Sequence, residues 1–323
     1  MDFPPEAKSL IKPSLTQTKM KTPVLFLIFN RADSAKLVME SIKKAKPERL
    51  YIAADGPRSS KEGEEVLCRK TREEVMREID WDCDVKTLFR DNNLGCAVAV
   101  SGAINWFFQH EEMGIILEDD CWPHFSFFTF CENLLHFYKD DNRVMHISGF
   151  NEQGPRSSAY TYYFSYYPSI WGWATWRRAW QNYQFTPAVP DASLESDIIS
   201  TYFFGMEEVG KRWFADFKRC LNQRSAWGYQ WPFSIWKNHG LAITSNIPLV
   251  KNLGFDGRGT HTNFTPNKSI RDIQLAEMSG DIVHPPLFLP DQKADIFSFR
   301  NQHYPPFAER VRLKVGSLWA KYF

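Results

Sequence analysis

The sequence of 323 residues lacks the cysteine pattern of a zinc knuckle or of a disulfide-stapled fold. Its six cysteines are scattered and none belongs to a Cys-x-x-Cys pair, which is typical of reduced thiols in a cytosol. A long apolar run is also missing, because residues 24–29 are too few to span a bilayer and nothing before them is typical of a signal peptide. These absences predict a soluble, cytoplasmic protein.

An excess of charge of one sign is missing as well. The chain has 39 basic and 38 acidic residues and a net charge of +1, so it offers no global attraction for nucleic acid. It contains no internal repeat or low-complexity run, and its length allows one large domain or two modest ones. Any charged ligand is therefore expected to meet a local group of side chains.

Aromatic residues, by contrast, are abundant. They make up 15% of the chain, including 12 tryptophans, and they crowd between residues 160 and 236. Because buried Trp and Tyr need partners for their polar atoms, we expect part of this set to face a ligand and part to fill the core.

Strand and helix patterns alternate in the first half of the chain. Continuous apolar runs predict strands, and the amphipathic or charged stretches between them predict helices. Strands are expected at residues 24–30, 50–56, 85–89, 114–118 and 144–148, with helices near 64–79, 96–110 and 207–221. Such alternation predicts an α/β fold with a parallel, doubly wound sheet.

Composition divides the chain into four predicted segments. Residues 1–22 carry proline and lysine without periodicity, which predicts a flexible leader. Residues 23–150 hold the alternating pattern, residues 151–270 the aromatic one, and residues 271–323 form a C-terminal extension. Within the extension, residues 309–323 place apolar residues at helical spacing among basic ones, which fits either a peripheral membrane contact or a helix packed on its own domain.

Three acidic residues follow the apolar end of one predicted strand, in the stretch GIILEDDCWPHF. Adjacent carboxylates repel, so Glu118, Asp119 and Asp120 are unfavourable together unless a cation or hydrogen-bond donors compensate them. Mg²⁺ and Mn²⁺ prefer oxygen ligands and commonly take one or two carboxylates, with water and phosphate oxygens completing the shell. The triplet therefore predicts a divalent-metal site for a diphosphate, against the simpler alternative of a solvated loop.

Polar candidates also follow the other predicted strands. In open parallel sheets, ligands bind beyond the carboxyl ends of the strands. The residues expected there are Asn30, Arg31, Asp55, Arg90 and Asn93. Asp55 is either a ligand contact or a turn former before Gly-Pro, and Arg31 and Arg90 either pair with a nucleotide or are ordinary surface cations. Elsewhere, His261 in the glycine-containing loop GRGTHT is either a metal ligand or hydrogen-bond donor, or an ordinary loop residue.

Several strings together resemble the GT-A fold of nucleotide-sugar glycosyltransferases. ILEDDCWPHFSFFTF resembles the strand, Glu-Asp-Asp and aromatic helix of the branch that includes N-acetylglucosaminyltransferase I and many bacterial relatives. FNR at residues 29–31 and AADG at 53–56 are similar to the two turns that contact uridine in that fold. NLGCAVAVSGA at 93–103 is similar to the Asn-x-Gly turn and helix that many GT-A enzymes place under the nucleotide. The resemblance covers residues 24–263 and implies a Rossmann-like, mostly parallel sheet with helices on both faces and an aromatic-rich acceptor half.

The resemblance implies a division of work at the donor site. Asp120 would bind the metal, Asp119 would approach the ribose, and Glu118 would reach the donor sugar. Arg31 and Asp55 fall on the nucleotide-binding positions of that family.

In the acceptor half, the chain differs from the family that it resembles at one important position. WGWATW is similar to the loop whose aromatic rings stack on sugars, which implies such a role for Trp171 and Trp173. The branch then carries a Trp followed by an Asp that removes the acceptor proton, whereas this chain has Gly228 after Trp227. Either the chain is weakened, so that restoring the acid by Gly228→Asp should raise turnover, or another acid serves, with Asp216 and Asp256 as candidates.

The leading interpretation is a metal-dependent transferase that moves a sugar from a UDP-linked donor to a hydroxyl of a glycan or glycolipid. The branch that the chain resembles implies Mn²⁺ or Mg²⁺ and inversion of the anomeric centre. One alternative is a nucleotide-sugar-binding protein that has lost transfer, which Gly228 supports. Another is a nucleotidyltransferase, although FNRADS lacks the glycines of a phosphate loop after the first strand.

Overall fold

The computed structural model describes residues 19–255, 270 and 272–303. Three of the candidate features above lie outside this part of the chain: Asp256, His261 and the basic segment 309–323. Their roles stay predictions. Most of the leader, residues 1–18, also lies outside it.

One sheet of eight strands organises the described residues, with a separate antiparallel pair formed by β5 and β10. The strands are β1 (Val24–Ile28), β2 (Arg49–Ala54), β3 (Asp84–Phe89), β4 (Met113–Glu118), β5 (Cys121–Pro123), β6 (Val144–Ser148), β7 (Tyr162–Ser165), β8 (Trp173–Trp176), β9 (Leu241–Ser245) and β10 (Val250–Asn252).

The helices described lie between these strands and after the last of them. They are α1 (Ala32–Ala45), α2 (Glu64–Arg77), α3 (Cys96–His110), α4 (Phe125–Phe137), α5 (Arg177–Trp180), α6 (Ala192–Tyr202), α7 (Glu207–Gln223), α8 (Gln230–Lys237) and α9 (Gln292–His303). No helix of the described residues is long and apolar enough to cross a membrane.

The strand order in the large sheet is β3-β2-β1-β4-β8-β6-β9-β7. Pairing is parallel from β3 through β4, and again between β6 and β9, whereas β8 and β7 run antiparallel to their neighbours. The sheet is therefore mostly parallel. Because its first four strands end at the same edge, the residues that follow β1, β2 and β4 come together there.

Both faces of the sheet are covered by helices. Side chains alternate along β1, so Val24, Phe26 and Ile28 pack in a core with residues of α1 and α4. Leu25 and Leu27 point to the opposite face, where they pack with residues of α3. The predicted α/β class, with a mostly parallel sheet and helices on both faces, is confirmed.

The sheet runs across the boundary expected at residue 150. Strand β4, from the first predicted segment, pairs with β8 from the second. Helix α9, from the predicted C-terminal extension, packs its buried Phe299 against Phe203 and Trp236. Strands and helices of three predicted segments therefore share continuous packing in the described part of the chain.

A close backbone approach shapes the region after β4. Strand β5 pairs with β10, so that Cys121 lies opposite Asn252. The N–H of Leu253 donates to the carbonyl oxygen of Asp120 at 2.7 Å. A Cβ on Gly254 would lie only 2.4 Å from Oδ2 of Asp120, so this position has no room for a side chain while the carboxylate keeps its place.

Candidate active site

A cavity of about 180 Å³ opens at the carboxyl ends of β1, β2 and β4, and we call it the first cavity. Leu27 of β1 lies in register with Ala53 of β2 and with Glu118 of β4. These three side chains therefore point to the same face of the sheet, towards α3. All three line the first cavity.

Helix α3 provides a wall of small side chains. Cys96, Ala99, Val100 and Ala103 follow one another at helical spacing and all line the first cavity. Because these side chains are short, they leave space between the helix and the strand ends. The first cavity therefore has an apolar wall on the side of α3.

Asp55 holds the turn that leads into α3. Its carboxylate accepts hydrogen bonds from the N–H groups of Leu94 and Gly95, each at 3.0 Å. Asn93 strengthens the same junction, because its Nδ2 donates to the carbonyl oxygen of Gly56 at 2.8 Å. Asp55 and Asn93 both line the first cavity, so they shape it and remain within reach of a ligand.

Asp55→Ala is expected to lower the free energy of unfolding by about 1–3 kcal/mol, because it leaves two backbone N–H groups without their acceptor. Urea denaturation measures this change. Asp55→Asn is the matched control, since it retains one acceptor oxygen and should lose less. Equal stability of the alanine variant and the wild type would show that water replaces the carboxylate at this turn.

Arg31 bridges two acids of the triplet. Its Nη1 lies 2.7 Å from Oδ2 of Asp120 and 3.6 Å from Oδ1 of Asp119. Asp119 also accepts the N–H of Phe29 at 3.0 Å through Oδ2. Glu118 differs from both, because its carboxylate has no hydrogen bond or ion pair with any described residue.

The electrostatics of the triplet favour a further positive group. Burial raises the pKa of Glu118 and of Asp119, and the neighbouring carboxylate of Asp120 raises both further. Arg31 opposes this effect but supplies only one positive charge. The ionised triplet therefore carries more negative charge than the described side chains compensate.

The residues present fit a divalent cation held through one carboxylate. Asp120 lines the first cavity as well as the aromatic cavity described next, so a ligand could reach it from either side. No group of three His, Cys, Asp or Glu side chains suited to a metal occurs among residues 19–255, 270 and 272–303. Such a cation would take its remaining ligands from a diphosphate and water, which is the usual way in which Mg²⁺ is bound.

A second cavity, of about 330 Å³, adjoins the first and is largely aromatic. Its aromatic lining comprises Tyr167, Trp171, Trp213, Trp227, Tyr229 and Trp236. The two cavities share four lining residues: Arg31, Cys96, Glu118 and Asp120. The acid triplet and Arg31 therefore lie where the two cavities meet.

The tryptophans singled out from the sequence have different positions. Trp171 and Trp227 line the second cavity, and so does Gly228. Trp173 is completely buried at 0% exposure, where its ring stacks on His146 at 5.0 Å. The expectation that Trp173 faces a sugar is wrong, because β8 lies inside the sheet between β4 and β6 and packs both of its faces.

Two other candidates point away from the cavities. Asn30 does not line the first cavity; its Nδ2 donates to Oε1 of Glu64 at 3.0 Å. Asp216 on α7 pairs with Arg219 at 2.8 Å and lines neither cavity. Arg90, by contrast, lines the first cavity as expected.

Several lining residues were not anticipated from the sequence. Arg58, after β2, lines the first cavity and pairs with Glu64, which accepts its N–H at 2.7 Å. Gln302 and His303, at the end of α9, line the second cavity. Burial lowers the pKa of His303 to about 3, so its imidazole is neutral. The arginine that follows Gly-Pro after a strand was a usable signal for Arg58, whereas nothing local marks α9 as part of this site.

No protein-family model and no curated protein matches this chain. Among solved structures, mouse xyloside xylosyltransferase 1 in its apo form aligns at a TM-score of 0.31 with 9% identity, covering 67% of this chain and 81% of that one. The 4-diphosphocytidyl-2C-methyl-D-erythritol synthase of Anaerococcus prevotii aligns at 0.32 with 7% identity, covering 57% and 84%. A UDP-glucose pyrophosphorylase complexed with UDP-glucose aligns at 0.27 with 13% identity, covering 45% and 62%. Similarities at these TM-scores establish neither the fold nor the function of this chain.

Proposed function

We propose that this protein is a metal-dependent glycosyltransferase that moves a sugar from a UDP-sugar to a hydroxyl of a glycan or glycolipid. The observation that carries the proposal is the junction of the two cavities at Arg31, Glu118 and Asp120. A transferase must hold two substrates with their reacting atoms side by side, and two cavities that meet at charged groups provide that arrangement.

The first cavity is assigned to the donor. Its apolar wall on α3 would contact the uracil ring, and Asp119, which also lines the cavity, would approach the ribose. Three arginines line the same cavity, Arg31, Arg58 and Arg90, and they would pair with the diphosphate. Asp120 would hold Mn²⁺ or Mg²⁺, with His261 as a further proposed ligand; when bound, the ion neutralises charge that grows on the departing diphosphate.

The second cavity is assigned to the acceptor. Sugar rings have apolar faces, and aromatic side chains such as Trp171 and Trp227 offer surfaces for stacking. Polar groups at the edge of the same cavity, including Asn252 and Gln302, can bond to hydroxyls. A nucleotide-sugar-binding protein would need only the first cavity, so the second favours transfer.

Glu118 is assigned as the general base, in place of the Asp that the resemblance leads us to expect at the position of Gly228. Asp216 lines neither cavity, and Asp120 is paired with Arg31, whereas the Glu118 carboxylate has no described partner and lines both cavities. Glu118 would take the proton from the acceptor hydroxyl as its oxygen bonds to the anomeric carbon. The bond from that carbon to the diphosphate breaks at the same time, UDP leaves with the electron pair, and the centre inverts.

We assign the enzyme to the cytoplasm, because its six cysteines are free, as is usual for proteins of a reducing compartment. Contact with a membrane surface through residues 309–323 would bring the enzyme near a lipid-linked glycan, and this remains part of the proposal.

Thermal unfolding with UDP-, GDP- and CMP-sugars, each with and without Mn²⁺, tests the donor assignment. A ligand that binds only the folded state stabilises it, by about 2.7 kcal/mol at a concentration 100 times its Kd. We expect the unfolding midpoint to rise with UDP-sugars and Mn²⁺ together, and little with either alone. Equal shifts for all three nucleotides, or no shift with any, would contradict the assignment.

A further inference from the structure

Arg31 contacts one of the two Asp120 carboxylate oxygens that a cation could bind. Its Nη1 is 2.7 Å from Oδ2 of Asp120, and both side chains are largely enclosed, at 15% and 18% exposure. Gly254 also borders this oxygen, because a Cβ built on its backbone would lie only 2.4 Å from it. Oδ2 of Asp120 therefore has the guanidinium and the Gly254 backbone as close neighbours.

We propose that Arg31 acts as a built-in counter-cation, which holds Asp120 while no nucleotide is bound and gives it up when a divalent ion arrives with the UDP-sugar. This inference rests on the proposed function. It predicts a binding order: the metal binds weakly to the free enzyme and tightly together with the diphosphate.

Charge repulsion is the physical reason. A metal ion bound to a carboxylate oxygen lies about 2.0–2.1 Å from it, so an ion on Oδ2 of Asp120 would lie close to the guanidinium nitrogen that is 2.7 Å from the same oxygen, and the two positive charges would repel each other. Without nucleotide, the displaced guanidinium would lose its ion pair with Asp120 inside a cavity that is partly shielded from water. With nucleotide, the diphosphate offers Arg31 a new anionic partner of matching geometry.

The coupling must be reciprocal. If Arg31 makes the affinity for the metal depend on bound UDP, it makes the affinity for UDP depend on the bound metal by the same factor. Removal of the guanidinium should therefore weaken the coupling while it strengthens the binding of the metal alone. These two effects have opposite signs, so they can be separated by direct measurement of bound metal.

Arg58 provides the matched control. It is also an arginine that lines the first cavity, but its carboxylate partner is Glu64 rather than the triplet. Arg58→Gln removes one positive charge from the same cavity without freeing Asp120. It should leave the affinity for Mn²⁺ alone nearly unchanged.

The experiment is a Mn²⁺ titration followed by electron paramagnetic resonance, with and without UDP, on the wild type, Arg31→Gln and Arg58→Gln. Without UDP, Arg31→Gln is expected to bind Mn²⁺ at least about tenfold more tightly than the wild type. UDP should then tighten Mn²⁺ binding strongly in the wild type and much less in Arg31→Gln. Adding Asp120→Asn to Arg31→Gln should abolish the gained affinity.

The outcomes separate this inference from the proposed function. Tight Mn²⁺ binding to wild type plus UDP, with no gain in Arg31→Gln alone, overturns the counter-cation role and leaves the metal-dependent donor site standing. No Mn²⁺ binding by any variant, even with UDP, overturns both. Thermal unfolding establishes that each variant is folded. If Arg31→Gln does not fold, Arg31→Lys replaces it, because lysine keeps the charge but lacks the planar guanidinium. A measurable gain in Mn²⁺ affinity of less than tenfold in Arg31→Lys then supports the role of Arg31, whereas the absence of any gain overturns it.

Discussion

Asp120→Asn is expected to remove the metal-dependent part of the affinity for UDP. Asparagine has nearly the same shape, but its amide lacks the charge that attracts Mn²⁺ and pairs with Arg31. Groups that merely support a metal ligand are worth about 10–100-fold in affinity, so loss of the ligand itself should cost at least about 100-fold. Calorimetric titration of UDP with Mn²⁺ and with a chelator measures the difference.

The control for this variant is Asp91→Asn. Asp91 is an exposed acid after β3, between Arg90 and Asn93, which line the first cavity, so the change removes the same charge without touching the triplet. It should bind UDP with Mn²⁺ as the wild type does. Undiminished metal-dependent binding by folded Asp120→Asn protein would show that the ion is held elsewhere.

Glu118→Gln is expected to lower kcat by about 10²–10⁴-fold, the usual contribution of a general base. Because glutamine keeps the size of the side chain, the first cavity should retain its shape and its affinity for UDP. Rates of UDP release from the UDP-sugar in the presence of acceptor, together with direct UDP binding, separate the two effects. A variant with unchanged kcat would move the base elsewhere, and Asp256 would be the next acid to replace.

Gly228→Asp extends this test as a rescue. A Cβ at Gly228 would meet only the Ile170 side chain, with Cδ1 at 2.6 Å and Cγ1 at 4.0 Å, and Cδ1 is the movable end of that side chain. The new carboxylate would face the second cavity, which Gly228 lines. If Glu118 is the base, adding Gly228→Asp to the Glu118→Gln variant should raise its kcat at least about tenfold, which corresponds to lowering the activation barrier by about 1.4 kcal/mol. If instead Gly228→Asp raises the kcat of the otherwise unchanged protein about tenfold and Glu118→Gln has little effect on kcat, the chain lacks a general base.

Much of the first half of the fold could be predicted from the sequence, because the signals there are local. The helix expected at residues 96–110 and the strand expected at 144–148 have those bounds in the structure. Apolar runs of strand length separated by amphipathic stretches specify such elements by periodicity alone. The position of Glu118, Asp119 and Asp120 at the carboxyl edge of the sheet could also be predicted, because parallel strands place their carboxyl ends together.

The membership of the site was decided by tertiary structure. Trp171 and Trp173 are equally aromatic, yet only Trp171 reaches a cavity, because β8 is inserted between two other strands and buries Trp173. His303 reaches the same cavity only because α9 packs against α7, a contact between distant parts of the chain. The sequence by itself determined the α/β class and the acid triplet at a strand end. Which side chains face the triplet, and that Arg31 pairs with Asp120, depend on contacts between distant segments that periodicity does not encode.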